Sequence, residues 1–161
     1  MSNYKSAKKG WYVVINPEKV IKPVDNYMKS YIIEENMIKL NYKSSLELKC
    51  LRYCDMNIHI KCFGLEPFAI KYYKPTTGKF HRYFVDFFIE FENNQKFLVE
   101  IKSSGETIEP KKPSKKTQKA ILNYQKALQT YIVNQAKWKA ATEFAESNNM
   151  RFIILTEKEL K

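Results

Sequence analysis

The sequence has few of the features that mark membrane, secreted or repetitive proteins. No apolar run approaches the length of a membrane span, and the first residues lack the apolar core of a signal peptide. No internal repeat or low-complexity tract is visible. Only 4 of the 161 residues are glycine and 44% are hydrophobic. We therefore expect a globular chain with one sizeable core and no membrane association.

Cysteine is scarce as well, and occurs at Cys50, Cys54 and Cys62. An odd number of cysteines without a signal peptide indicates reduced thiols in a cytosolic protein. No Cys-x-x-Cys pair exists, and His59 is the only imidazole nearby. We therefore expect these side chains to act as small buried hydrophobic groups rather than as zinc ligands.

Acidic residues are few beside basic ones. The chain has 28 Lys and Arg against 17 Asp and Glu, which leaves a formal charge of +11. Such an excess favours a polyanionic partner, and nucleic acid before membrane. Nine lysines but only two glutamates lie between residues 102 and 139, although a solvated linker would account for any one of them. The candidate DNA-contacting residues are Lys79, Arg82, Lys111, Lys112, Lys115, Lys116 and Lys119.

Two stretches near the middle of the chain alternate between apolar and charged positions. Residues 83–91 and 96–102 are rich in aromatic and β-branched side chains with a period of two, which predicts strands. Residues 92–95, with the sequence Glu-Asn-Asn-Gln, are typical of a turn. The pattern predicts a β-hairpin with Phe84, Asp86, Phe88 and Glu90 on one face and Val85, Phe87, Ile89 and Phe91 on the other.

The hairpin brings chemically useful side chains together. A loop centred on Asn93 or Asn94 sets Asp86 opposite Glu100 or Lys102, because opposed residues of an antiparallel pair share a face. Two carboxylates and a lysine at one end of a sheet suit metal-assisted phosphodiester hydrolysis.

In this arrangement Asp86, Glu100 and the carbonyl of Ile101 supply oxygen ligands for Mg²⁺. Lys102 orients the attacking water or stabilises the transition state. The alternative reading is an amphipathic hairpin whose outer face is simply charged.

The chain before this hairpin predicts a helix that carries one more acid. Residues 43–57 have an apolar stripe at helical spacing, and Ser44 or Ser45 can cap it. Glu47 lies at the edge of the stripe, where it could face a metal site on the sheet. A first-turn acid favoured by the helix dipole is the alternative.

The remaining segments complete an α+β, α/β-like pattern. Residues 58–74 predict strands, while residues 26–41 are ambiguous between helix and strand. Residues 115–147 predict helical structure, with a second helix starting near Gln135 and capped by Asn134. The buried strand expected at residues 151–156 would follow a parallel crossover.

These segments predict a mixed central β-sheet flanked by helices. We divide the chain into an N-terminal arm and lead-in segment, residues 1–40, and a compact domain, residues 41–161.

With these residues placed, the chain resembles the PD-(D/E)xK nuclease superfamily, and within it the head-completion nucleases of large contractile-tailed phages. The proline that usually precedes the Asp is replaced by Val85, and the chemistry is not affected because the proline ligates nothing. The resemblance covers roughly residues 40–157 and rests on ordered motifs. These are Tyr42-Lys43-Ser44-x-x-Glu47, Gly64-x-Glu66, Gly78-Lys79-x-x-Arg82-Tyr83-Phe84-x-Asp86, Glu100-Ile101-Lys102, Val133-Asn134-x-x-Lys137-Trp138-Lys139-Ala140-Ala141 and Phe152-Ile153-Ile154-Leu155-Thr156-Glu157.

The resemblance implies a restriction-endonuclease-like core and a Mg²⁺- or Mn²⁺-dependent nuclease acting on double-stranded DNA. Asp86 and Glu100 would bind the metal, Lys102 would position the nucleophile, and Glu47 would orient metal or water. Glu66 is a further, less defined candidate.

The same resemblance implies that the enzyme trims or cleaves DNA at a filled phage head before the tail joins. Its partners would be portal, neck or head proteins, and it would occur in the host cytoplasm and the virion head or neck. Two alternatives stay open. One is a structural head or neck protein that binds DNA ends with a vestigial nuclease core, and the other is a restriction- or transposon-type endonuclease.

Overall fold

The computed structural model describes residues 8–161. Three short 3₁₀ helices and two α-helices accompany nine strands in this range. In chain order these α-helices and strands are β1 (Gly10–Val13), β2 (Tyr31–Glu34), β3 (Met37–Tyr42), α1 (Ser45–Met56), β4 (Ile60–Leu65), β5 (Ala69–Lys74), β6 (Lys79–Phe84), β7 (Phe87–Phe91), β8 (Lys96–Ile101), α2 (Gln118–Ser147) and β9 (Arg151–Leu155).

The central sheet has four strands in the order β4-β7-β8-β9. Its first three strands are antiparallel, whereas β9 pairs parallel to β8 after the chain crosses through α2. The mixed sheet, the helices on its two faces and the parallel crossover confirm the predicted architecture. Two smaller sheets accompany it, the hairpin β5–β6 and the antiparallel sheet β1-β3-β2.

The loop between β7 and β8 is centred on Asn93. Phe87 pairs with Val99 and Ile89 with Phe97, so the same register sets Asp86 level with Glu100. This is one of the two registers that the alternation predicted. The turn is possible because Asn94 takes a left-handed backbone conformation, with φ of 68°.

Both faces of the central sheet are covered by apolar side chains. One face packs against α1 through Cys50, Leu51 and Cys54, which confirms that the helical cysteines are buried. The other face packs against α2 through Phe88 and Leu98. The faces predicted for Val85 and Phe84 are wrong, since Val85 packs with Phe88 on the α2 side and Phe84 stacks on Tyr27 instead. The cause is an irregular stretch between β6 and β7, which interrupts the alternation at residues 85–86.

Helix α2 corrects a second prediction. No new helix begins near Gln135, because α2 runs without a break for 30 residues and Asn134 lies buried in its middle. Thr117 caps its start by accepting a 3.2 Å hydrogen bond from the amide of Ala120. Side chains that face the sheet, including Trp138 and Ala141, continue the buried stripe past Asn134. Burial of this stripe therefore overrides the preference of Asn134 for a helix cap. Neither helix of residues 8–161 carries an apolar stretch able to cross a membrane.

The N-terminal segment folds as β-structure. The ambiguous stretch 26–41 contains the hairpin β2–β3, whose turn residues Glu35 and Asn36 both have positive φ. Strand β1 pairs antiparallel with the other edge of β3. Residues 1–7 of that arm lie outside the described residues, and the boundary predicted between residues 40 and 41 falls inside β3. The division into two parts stays a prediction.

Candidate active site

Asp86 and Glu100 meet at one end of the central sheet. Asp86 lies in the break between β6 and β7, and its Oδ2 accepts a 2.8 Å hydrogen bond from the amide of Ile101. Glu100, on β8, is buried, and its Oε2 accepts a hydrogen bond from the hydroxyl of Tyr83. The charge of Glu100 also raises the pKa of Asp86, so the two carboxyl groups are neighbours. The structure thus brings together the two acids that the alternation predicted.

Both carboxyl groups are difficult to ionise in the protein alone. Burial raises the pKa of Asp86, and the negative charges of Glu100 and Glu47 raise it further. Burial also raises the pKa of Glu100, although the Tyr83 hydroxyl and the charge of Lys102 oppose this effect. Adjacent carboxylates repel one another. A divalent cation between them would remove the repulsion, so the donor set fits the metal that the sequence predicts.

The backbone carbonyl of Ile101 is the third predicted oxygen donor. In a strand, the N–H and C=O of one residue point to the same side. Since the amide of Ile101 points to Asp86, its carbonyl lies on that side too. Among residues 8–161, no three Asp, Glu, His or Cys side chains are close enough to hold one ion. The candidate donors are therefore the carboxylates of Asp86 and Glu100 and the carbonyl of Ile101.

Lys102 follows directly at the end of β8. Its Nζ lies 3.9 Å from Oε1 of Glu100, and its side chain is about a quarter exposed. Its backbone amide donates a 3.1 Å hydrogen bond to the carbonyl of Leu155, which extends the parallel pairing with β9 beyond Ile101. The ammonium group is therefore held beside the carboxylates and still reaches solvent.

Glu47 and Glu66 approach the same carboxylates from two other elements. Glu47 lies in the first turn of α1, three residues after the cap Ser44, and its Oε2 accepts a 2.7 Å hydrogen bond from the amide of Lys43. Burial raises the pKa of Glu47. The charge of Glu47 in turn raises the pKa of Asp86, so the two carboxyl groups are neighbours.

Glu66 is bound tightly to this neighbourhood. It is buried, its amide donates a 2.8 Å hydrogen bond to the carbonyl of Asp86, and its Oε1 pairs with Nζ of Lys43. Its other oxygen, Oε2, has no hydrogen-bond partner among residues 8–161. Its backbone has a positive φ of 48°, which an L-residue rarely adopts. A buried acid in a strained conformation beside Asp86 supports the match of Glu66 to the motif.

Two neighbours of Glu100 were absent from the predicted site. Lys137 on α2 is half-buried, with Nζ 5.6 Å from the ring centre of Tyr83, and its charge lowers the pKa of Glu100. Burial lowers the pKa of Lys137 itself. Lys137 precedes Trp138 in a stripe that faces the sheet, and this position was the signal in the sequence that could have identified it as a site residue. For Tyr83 no sequence signal distinguished its hydroxyl from those of the other tyrosines.

The predicted DNA-contacting residues fall into two groups. Lys111, Lys112, Lys115, Lys116 and Lys119 are all exposed, on the segment that links β8 to α2 and on the first turn of that helix. Lys79 and Arg82 are exposed on β6, where Arg82 forms a 2.8 Å ion pair with Asp25. Their contacts with DNA, like the catalytic and metal-binding roles above, stay predictions.

Comparison with known proteins agrees with this geometry. Residues 57–157 match the family described as TnsA-like endonuclease N terminal, whose fold is of the PD-(D/E)xK type. The chain belongs to this family. The match contains Asp86, Glu100, Lys102 and Lys137, whereas Glu47 precedes it. The restriction-endonuclease-like core predicted from the motifs is confirmed.

This member of the TnsA-like family also resembles a curated phage protein over most of its length. It is 37% identical over 123 residues to the head completion nuclease of Enterobacteria phage T4. The alignment covers 76% of this chain and 82% of the phage protein. The resemblance to head-completion nucleases, predicted from the motifs, is confirmed.

Proposed function

We propose that this protein is a divalent-metal-dependent deoxyribonuclease that serves in phage head completion. The observation that carries the proposal is the hydrogen bond of Asp86 to the Ile101 amide, which sets the Asp86 and Glu100 carboxyl groups side by side. The nuclease family and the T4 relative support the same class of reaction.

Each site residue has a role in phosphodiester hydrolysis. Asp86, Glu100 and the carbonyl of Ile101 would hold Mg²⁺ or Mn²⁺. The bound ion would lower the pKa of a water molecule and offset charge on the phosphate. Lys102, beside Glu100, would orient the attacking water and stabilise negative charge as it develops. Glu47 would orient water from the side of α1.

The T4 relative supports a proposal about the biological setting. Head completion is the role named for the T4 protein. We propose that this chain cleaves or trims double-stranded DNA that protrudes from a filled head, before the tail joins. Its partners would be portal, neck or head proteins in the host cytoplasm and the virion. The exposed lysines between β8 and α2 would neutralise phosphates of that DNA.

Plasmid nicking tests the activity. Wild type, Asp86→Ala and Lys102→Ala are incubated with supercoiled DNA and Mg²⁺ or Mn²⁺, with Glu92→Ala and Lys49→Ala as exposed controls. The two site variants should lose about a hundredfold or more in rate, and the controls should match wild type. Equal cleavage by all five proteins would identify a contaminant and overturn the proposal. Absence of cleavage in all five would favour the structural head or neck protein.

A transposon-type endonuclease is the second candidate, because the matching family is named after TnsA. Sequencing the ends of cleaved DNA separates the two. Trimming at a head requires no defined site, so cuts should be distributed along the DNA or concentrated at free ends. Cuts confined to one recurrent sequence would favour the transposon-type enzyme.

A further inference from the structure

The hairpin β5–β6 has two chemically different faces. Its inner face packs against α2 through Ile70, Tyr72 and Tyr83, and Tyr83 reaches Glu100 from there. The alternate positions point away from α2. Lys71 pairs with Arg82 and Tyr73 with Phe80, so cations and rings occupy neighbouring rungs on the outside. We name these residues, with Phe84 and the Tyr27 ring stacked on it, the hairpin outer face.

Rings and cations are in direct contact along this face. The Tyr73 and Phe80 rings meet edge to face at 5.4 Å, and Nζ of Lys71 lies 4.5 Å from the Phe80 ring centre. The Tyr27 and Phe84 rings stack at 5.6 Å, and the guanidinium of Arg82 lies 4.6 Å from the Tyr27 ring centre.

Large rings are exposed on this face although the protein has a core to bury them in. Phe80 and Tyr27 are each 63% exposed and Tyr73 is 53% exposed. Three exposed aromatic rings beside cations are suited to a partner with flat apolar groups and negative charge.

We propose that the hairpin outer face binds unpaired bases of single-stranded DNA. The inference rests on the proposed action on DNA and adds a substrate feature to it. Stacking on aromatic side chains is the common way in which proteins hold unpaired bases, and nearby cations neutralise the phosphates. A duplex keeps its base faces stacked inside, so it offers phosphates and groove edges to these rings, but no ring face.

A protein partner fits this face less well. Protein interfaces are depleted in lysine, whereas Lys71 lies over the Phe80 ring on this face. The acid that touches the face, Asp25, is already paired with Arg82. The net charge of the face is therefore positive and complementary to a nucleic acid.

The position of the face suggests its use. Arg82 and Phe84 flank Tyr83 on β6, and their side chains lie on the outer face. The Tyr83 side chain lies on the inner face, where it reaches Glu100. An unpaired strand held on the outside of β6 is therefore separated from the carboxylates by the thickness of one hairpin. We infer that the protein holds a frayed or protruding strand while the adjoining DNA enters the site.

Binding measured without divalent metal tests the proposal independently of cleavage. Fluorescence anisotropy in EDTA compares labelled oligothymidylate with a duplex of equal length. Phe80→Leu combined with Tyr73→Leu should weaken single-strand binding about tenfold or more. Duplex binding and the salt dependence should be unchanged, because the cations remain. Tyr53→Leu, which removes a ring that is 49% exposed on α1, is the control and should bind like wild type.

Two further variants separate stacking from charge and from misfolding. Phe80→Trp should retain or strengthen single-strand binding, since indole stacks well. Lys71→Gln should reduce the slope of log affinity against log salt by about 0.7 for the single strand.

Three results would overturn the proposal: equal loss on duplex, equal loss in Tyr53→Leu, or no loss on the single strand. The last would indicate a protein-docking face. Failure of cleavage in the nicking assay leaves these EDTA measurements unaffected, so the two proposals fail separately.

Discussion

The Asp86 carboxylate accepts a hydrogen bond of 2.8 Å from the amide of Ile101, fifteen residues further along the chain. Asp86 lies in the break between β6 and β7, so its side chain takes the place of a backbone acceptor at the end of β8. The contact aligns the Asp86 carboxyl with Glu100, the residue just before Ile101. One hydrogen bond therefore joins the two halves of the Asp…Glu-x-Lys motif.

Replacing Asp86 by Asn should stabilise the metal-free protein. The pKa of Asp86 is raised in the folded state by burial and by Glu100 and Glu47. The folded protein therefore binds a proton at Asp86 more readily than the unfolded chain does. The stability that this proton contributes is lost as pH rises from about 3.9, the ordinary pKa of Asp, through the raised pKa. At neutral pH in EDTA, Asp86→Asn should raise Tm by roughly 2–4 °C for each kcal/mol of relieved repulsion.

The same melting curves test metal binding. Mg²⁺ should raise the Tm of wild type, because a ligand that binds only the native state stabilises it. Asp86→Asn should respond much less, whereas the exposed control Asp25→Asn should respond like wild type. An equal response of all three proteins would place the metal elsewhere.

Removing the Tyr83 hydroxyl should change the pH dependence of cleavage. Burial raises the pKa of Glu100 and the Tyr83 hydrogen bond opposes that rise. Tyr83→Phe should therefore raise the pKa of Glu100 further, and the acidic limb of the pH–rate profile should move to higher pH. Cleavage should fall about tenfold on that limb and recover as pH increases. The control Tyr72→Phe removes a neighbouring hydroxyl that does not reach Glu100, and its profile should stay in place.

Lys137 should contribute to catalysis from α2. Its ammonium lies near Glu100, over the rings of Tyr83 and Tyr72, where it adds positive charge to the site. Lys137→Met keeps the length of the side chain and should lower the nicking rate about tenfold or more. Lys137→Arg should restore part of it. If Lys137→Met cleaves as fast as Lys139→Met, its exposed neighbour, the role is excluded.

Asp55 should anchor the N-terminal sheet to α1. Its carboxylate accepts hydrogen bonds of 2.6 Å from the Tyr12 hydroxyl, 2.8 Å from the Ile15 amide and 2.9 Å from the Asn16 amide. Burial raises the pKa of Asp55, but these bonds together outweigh it and lower the pKa. Their stabilisation is therefore present above the ordinary value of about 3.9 and is lost as pH falls through the lowered pKa.

Asp55→Ala should accordingly cost about 2–4 kcal/mol at neutral pH, since these three donors and the side-chain amide of Asn16 lose their acceptor. Urea unfolding at neutral and acidic pH measures this cost, and the deficit should shrink as pH falls. A deficit that is constant with pH would point to lost packing instead of the ionised carboxylate. Hydrogen exchange at Ile15 and Asn16 reports whether the segment has been released.

Short-range patterns predicted much of the site. The alternation of residues 83–91 and 96–102 located both strands, and the Ser44 cap located the start of α1, because these signals depend on neighbouring residues. Asn134 shows where such signals fail. Its preference for a cap was overridden because the buried stripe of α2 continues through it against the sheet. Val85 was misplaced since the irregular stretch at residues 85–86 cannot be read from a period of two.

The order of residues in this chain was enough to establish which groups could do chemistry and which strands carry them. The spacing of the acids, the lysine and the apolar residues along the chain determines these two features locally. Only the folded molecule decided between the two hairpin registers, brought Lys137 and Tyr83 to Glu100, and enclosed Glu66 beside Asp86. Those contacts join elements far apart in sequence, and they are chosen by the burial of two apolar layers against one sheet. No short segment contains that information, because the free energy that selects it is shared by the whole core.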